Sequence, residues 1–157
     1  MNDFFLGGEG KLSPANAAGA LIVVGTERHY LMQLRDQKTG IFYPGHWGVF
    51  GGAIDPGETP EQTLTRELHE EIGLTVSTIS YFTEVSFDFG FNGLGRFTRR
   101  YFEVPIEPSQ IDKIVLREGS AFRLFPARTL LNARRIVPFD AFAIWLHAGR
   151  NQIVDHR

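Results

Sequence analysis

Three glutamates, Glu67, Glu70 and Glu71, stand at i, i+3 and i+4 in a segment whose pattern predicts a helix. At that spacing their side chains share one face, and like charges weaken a bare helix by roughly 0.2–0.5 kcal/mol per pair. Glu70 and Glu71 also fall in the last turn, where the helix dipole disfavours anions. Arg66 is the only permanent cation between residues 52 and 74. Such crowding calls for a countercharge, and a divalent cation is the simplest. Carboxylate oxygens are hard donors suited to Mg²⁺, Mn²⁺ or Ca²⁺. The segment lacks the alternating Asp/Asn loop with central Gly of an EF-hand. It also lacks the His-Glu-x-x-His pair of a zinc protease. Mg²⁺ takes few carboxylates and completes its shell with water and substrate phosphates. The cluster therefore points to a phosphate-bearing substrate.

The glutamates belong to a longer pattern. Gly52, Glu58, Arg66-Glu67-Leu68, Glu70-Glu71 and Gly73-Leu74 follow one another at the offsets of a complete Nudix box, residues 52–74. On these residues the chain resembles the Nudix hydrolases, MutT-like enzymes that cleave a nucleoside diphosphate linked to a further group. The stretch Trp47-Gly48-Val49-Phe50-Gly51-Gly52 before the box extends the resemblance, although Phe50 stands where a proline is common. The resemblance implies an α/β/α sandwich with a mixed β-sheet (an α/β, or α+β, fold). It implies Mg²⁺-dependent attack of water on a pyrophosphate, with Mn²⁺ as a substitute. It implies metal binding by Glu67, Glu70 and Glu71, one of which often helps activate water, with a backbone carbonyl near Gly51 or Gly52 as a further ligand. Arg66 would orient the glutamates, and Glu58 would support the site. Nucleoside triphosphates are the expected substrates, cleaved to monophosphate and pyrophosphate. Nucleotide sugars and ADP-ribose are the alternatives, and a non-catalytic nucleotide-binding regulatory module is the rival of another class.

The elements that must position these residues are legible nearby. Thr59 can cap a helix whose first position is Pro60, and Gln62 completes a capping box. Gly73 suits the C-terminal cap. Leu64, Leu68 and Ile72 recur every four residues and predict a buried stripe beside the acidic one. Residues 17–24 and 30–35 read as neighbouring strands with a turn at Glu27-Arg28. Residues 37–48 read as a loop, and a short strand delivers Gly51-Gly52. Residues 75–88 and 97–104 read as a strand and its return, 122–125 as a short strand and 126–132 as a short helix. A C-terminal helix is expected over 139–150, capped by Asp140 or started near Pro138, with Phe142, Trp145 and Leu146 in the core. Phe87, Phe89 and Phe91 alternate and so share a face, read as core packing or a hairpin tip.

Substrate contacts are expected from Arg35, whose guanidinium can fork onto phosphate, and from Tyr43 and Trp47, whose flat rings can stack on a base. Glu118, in the later loop Arg117-Glu118-Gly119-Ser120, is a further candidate base or substrate contact. Arg99-Arg100 is expected on the solvated surface. The five histidines show no metal-ligand spacing.

Composition bounds the rest. At 157 residues one domain is expected over the whole chain, with residues 1–16 as a loose arm. The chain has no cysteine, which excludes disulfides and zinc-thiolate sites. A net charge of −2 gives no electrostatic reason to expect nucleic-acid binding. No apolar run reaches a membrane span or a signal peptide, so cytoplasmic location is expected. The expected partner is a small nucleotide, with a homodimer as one possible assembly.

Overall fold

The computed structural model describes residues 14–26, 29–133 and 135–154. The proposed turn at Glu27-Arg28 and most of the N-terminal arm lie outside the described residues. Seven strands form one mixed sheet: β1 (Ala17–Val24), β2 (His29–Leu34), β3 (Trp47–Gly48), β4 (Phe50–Ala53), β5 (Ser80–Asp88), β6 (Arg96–Ile106) and β7 (Ala121–Pro126). The main path runs β3-β2-β1-β6-β5, with β4 paired to β1 and β7 to β2. The β1–β6 pairing is parallel, and the others are antiparallel.

β1 is the pivot. One edge lies along β6 for its full length. The other edge is divided: Ala17–Ala20 pair with β4, and Val23–Val24 pair with β2. Alternate β1 residues feed two cores. Ala18, Ala20, Ile22 and Val24 face α1 (Pro60–Ile72), where Leu64, Leu68 and Ile72 are fully buried. Full burial of each such side chain is worth about 1.5–3 kcal/mol. Leu21 and Val23 face the other way, onto α3 (Ala127–Leu131) and α4 (Pro138–Val154). Because β1 is covered on both faces, it reads as a continuous apolar run. The result is a sheet between helical layers, as expected.

The cap chemistry of α1 is as expected. Thr59 accepts from the Gln62 amide, Gln62 returns a bond to the Thr59 amide, and Gly73 closes the helix in the left-handed conformation. Two expectations are corrected. Residues 75–79 are loop, because the chain must travel from the end of α1 to the outer strand β5; Val76 and Ile79 pack onto the core without pairing. Phe142 and Trp145 lie about half exposed on the outer side of α4, and Ala143, Ile144 and His147 face the sheet instead. Of the two expected starts of α4, Pro138 is the one found, and Asp140 lies buried in the first turn instead of preceding the helix. A four-residue helix, α2 (Pro108–Ile111), follows β6.

Candidate active site

Two elements bring the acidic residues to one place. β4 runs beside the N-terminal half of β1, and α1 packs across both. Gly51 has φ 129°, and a Cβ there would lie 2.2 Å from the Ala18 carbonyl oxygen. Only glycine fits that conformation and that approach. Its amide donates to Glu71 Oε2 at 3.0 Å. A Cβ on Gly52 would lie 2.4 Å from Glu67 Oε1, so the missing side chain is the space that Glu67 occupies. Gly51 thus lets β4 approach the Ala18 carbonyl, and Gly52 makes room for Glu67.

Glu71 is 4% exposed, and its Oε1 accepts from Gln33 Nε2 on β2 at 3.2 Å. Burial pushes its carboxyl up to about 7, despite the bonds from Gly51 and Gln33. Burial also raises Glu67, against the opposing pull of Arg66. Arg66 is the hub of the other charges. It clamps Glu58 through Nε to Oε1 and Nη2 to Oε2, both at 2.9 Å. Its Nη1 reaches Glu67 at 2.8 Å and Glu70 at 3.2 Å, and Asp55 lies 3.4 Å from Nη2. Hydrogen bonds from Arg66 and from Thr63 hold Glu58 down to about 2. The pairing of Arg66 with Glu70 at i+4 is therefore one contact among several, and the same guanidinium holds Glu58 and Glu67.

Glu67, Glu71, Gly51 and Gly52 line one cavity of about 390 Å³, together with Gln33, Arg35, Glu118 and Arg99. The structure so gathers two of the three box glutamates. Glu70 is not in the cavity wall; its carboxylate lies against Arg66 at the exposed rim. Among the described residues no group of three or more His, Asp or Glu closes into a metal-sized cluster. The donors still suit a hard divalent ion. They are all oxygen, two are carboxylates whose charge burial disfavours, and both line the cavity.

Arg35 and Glu118 also line this cavity. Arg35 donates from Nε to the Phe42 carbonyl at 2.8 Å, and burial together with Arg99 depresses its pKa. Glu118 lies 3.7 Å from Lys38 near the cavity mouth. Tyr43 lines a second, adjoining cavity instead. Trp47 lines neither; its ring packs edge-on against Phe125 at 4.9 Å, because β3 turns it toward the α3 and α4 side of the sheet. Arg99, expected on the surface, is nearly buried and lines both cavities. Asp140 is its partner: Oδ1 lies 3.3 Å from Arg99 Nε, an ion pair without hydrogen-bond geometry. Asp140 also accepts from Tyr101 Oη at 2.7 Å and from the Val49 amide at 3.0 Å. Burial is the largest influence and opposes the charge on Arg99, but Asp140, Tyr101 and Glu71 together outweigh it and raise its pKa. The sequence signal for this pair was weak: one arginine of a strand and one aspartate of a helix 41 positions later, with nothing local to join them.

A family model described as NUDIX domain matches residues 13–146. An oxidized purine nucleoside triphosphate hydrolase of Danio rerio is 48% identical over 48 residues, 31% of each chain. The nucleoside triphosphatase NudI of Enterobacter sp. (strain 638) is 46% identical over 44 residues, 28% of this chain and 30% of that protein. The chain thus spans less than a third of the length of these curated relatives. A crystal structure of a MutT protein from Methanosarcina mazei Go1 superposes with a TM-score of 0.74 at 17% identity, over 90% of this chain and 98% of that one. At that identity the likeness speaks for the fold.

Proposed function

The chain belongs to the NUDIX domain family, and on that premise we propose that it is a pyrophosphohydrolase that cleaves nucleoside triphosphates to the monophosphate and pyrophosphate with Mg²⁺. The observation that carries this reading is the pairing of Glu67 and Glu71 on a glycine edge, in a cavity that also holds two arginines. The triphosphate preference draws support from the names of the Danio rerio and Enterobacter relatives.

Glu67, Glu71 and the Gly51–Gly52 edge would hold Mg²⁺, or Mn²⁺ in its place, and Glu70 would join by leaving Arg66. Such an ion stabilises charge on phosphoryl oxygens and acidifies water. Arg66, held on its other side by Glu58, keeps Glu67 directed into the cavity. Arg35 and Arg99 offer planar forks for phosphate oxygens. The carboxylates that face the cavity, Glu67, Glu71 and Glu118, are the bases available to a water there.

The test is incubation with Mg²⁺ and a panel of triphosphates, oxidised triphosphates, ADP-ribose, nucleotide sugars and dinucleoside polyphosphates, in ¹⁸O-labelled water, with products separated by ion exchange. Triphosphates should give monophosphate and pyrophosphate, and folded Glu71→Gln should lose most turnover. Full activity in Glu71→Gln would remove the assignment of the site, and absence of any product would remove the reading as an enzyme.

A further inference from the structure

Gln33 is buried, although it ends in a carboxamide. It stands two residues after Leu31 on the face of β2 that meets α1, where the next core residue of an alternating strand would sit. A buried carboxamide is costly unless its donors are used. Here both are. Nε2 donates to Glu71 Oε1 at 3.2 Å and to the Val49 carbonyl at 3.3 Å. That carbonyl can only accept, so the nitrogen of the amide, not its oxygen, belongs on this side.

This amide completes the fixation of Glu71. Oε2 of the same carboxylate takes the Gly51 amide at 3.0 Å, so each oxygen holds a donor. The terminal torsion of a glutamate is broad and prefers no single setting; donors on both oxygens select one. An ionised carboxylate offers about four lone-pair sites, which leaves about one free on each oxygen for a cation. Glu67 and Glu70, by contrast, share a single Arg66 nitrogen, Nη1. Val49 precedes Gly51 by two residues, so Gln33 also ties Glu71 to the approach of the glycine edge.

The loop that carries Glu118 closes on the other side of Gln33. A Cβ on Gly119 would lie 3.0 Å from Gln33 Oε1, and the Ser120 amide donates to the Leu34 carbonyl at 2.8 Å. The Arg117 amide donates to the Glu71 carbonyl, also at 2.8 Å. Gln33 is thus enclosed by α1, by the start of β4 and by this loop. We infer that Gln33 is a positioning residue: it locks the Glu71 carboxylate against the Gly51 edge in the orientation that receives the divalent ion. This role rests on the reading of Glu71 as a metal ligand given above, and it deepens that reading, because Gln33 acts through Glu71 alone.

Binding of Mn²⁺ to the nucleotide-free protein is followed by electron paramagnetic resonance, beside thermal melts in a chelating buffer and steady-state kinetics on a triphosphate. Gln33→Met keeps the bulk and removes both donors. Gln33→Asn keeps the amide but withdraws it from Glu71. Loss of a hydrogen-bond partner of a metal ligand typically costs about 10–100-fold in affinity or activity, so both variants should bind Mn²⁺ at least about tenfold more weakly. At saturating Mg²⁺, kcat should fall about tenfold while KM for the nucleotide moves by less than about threefold, since what is lost is not uniform nucleotide binding. Both variants should still melt in a single transition. Wild-type Mn²⁺ affinity in either folded variant overturns the inference, and so does a raised KM with kcat intact. Loss of the cooperative melt in both variants overturns it too, since Gln33 would then serve the fold alone. Weakened Mn²⁺ binding in a protein that hydrolyses no triphosphate removes the reaction and leaves the role of Gln33 standing; full hydrolysis with unchanged affinity does the reverse. A wild type that binds no Mn²⁺ overturns both.

Discussion

Replacing Glu71 with Gln should make the metal-free protein more stable in alkaline solution while it destroys activity. Glu71 is 4% exposed, and burial moves its carboxyl from an ordinary 4.5 to about 7. The folded protein therefore holds a proton there that the unfolded chain has released between those two values. Stability contributed by this group is complete below about pH 4.5 and is lost as pH rises through 7. At about 1.4 kcal/mol per tenfold in proton concentration, the full loss is about 3 kcal/mol. Glutamine removes the titration but not without cost. Its oxygen can keep the bond from the Gly51 amide, yet its NH₂ then faces Gln33 Nε2, donor to donor. One lost buried hydrogen bond is worth about 1 kcal/mol. The net gain is then about 2 kcal/mol, or about 4–8 °C in Tm for a domain of this size. Thermal melts in a chelating buffer near pH 5 and near pH 8.5 measure it. The wild type should fall between the two, and Glu71→Gln should stay nearly level and melt higher at the alkaline value. Added Mg²⁺ should raise the wild type and leave the variant nearly unmoved. Equal pH slopes for the two proteins, or a variant that melts lower near pH 8.5, would refute the argument that burial of this carboxylate is an energetic cost awaiting a cation.

Other perturbations reach neighbouring parts of the same logic. Gly52→Ala puts a methyl group 2.4 Å from Glu67 Oε1; it should weaken Mg²⁺ activation by about tenfold or more at the loss of only about 1–3 kcal/mol of stability, read from Mg²⁺ titrations of initial rate beside urea melts. Arg66→Lys keeps the charge but loses the fork that holds Glu58 and Glu67 together; turnover should drop by about a hundredfold, as for other misplaced catalytic groups, and wild-type kcat would count against the hub. Asp140→Ala leaves Arg99, Tyr101 Oη and the Val49 amide without their acceptor; denaturant unfolding should show a loss of about 3–5 kcal/mol, whereas a loss below about 1 kcal/mol would show the ion pair to be dispensable. Trp145→Ser on the outer side of α4 should shift stability by no more than about 0.5 kcal/mol, and a large shift would mean that this face is covered in solution.

What the sequence determined by itself is what depends on near neighbours in the chain. The caps of α1, its buried leucine stripe and the clustering of acid on one side all follow from helical periodicity and from side chains that reach three or four residues. Most strands of the sheet were legible because apolar runs and turn residues alternate over short spans, whereas the two-residue β3 falls at the end of a stretch that reads as loop. The tertiary structure decided what each face meets. Helical spacing puts Glu67, Glu70 and Glu71 together, but only the packing of α1 against β4 and β1 sends Glu71 inward to Gly51 and Gln33 and leaves Glu70 outside on Arg66. In α4 the apolar residues encircle the helix, so periodicity singles out no inner side; the sheet selects Ala143, Ile144 and His147, and Trp145 is left outside. The second cavity and the Arg99–Asp140 pair join residues from β5, β6, α4 and the loop before β3. Contacts across such separations are set by strand order and layer packing, and no local preference of the chain encodes them.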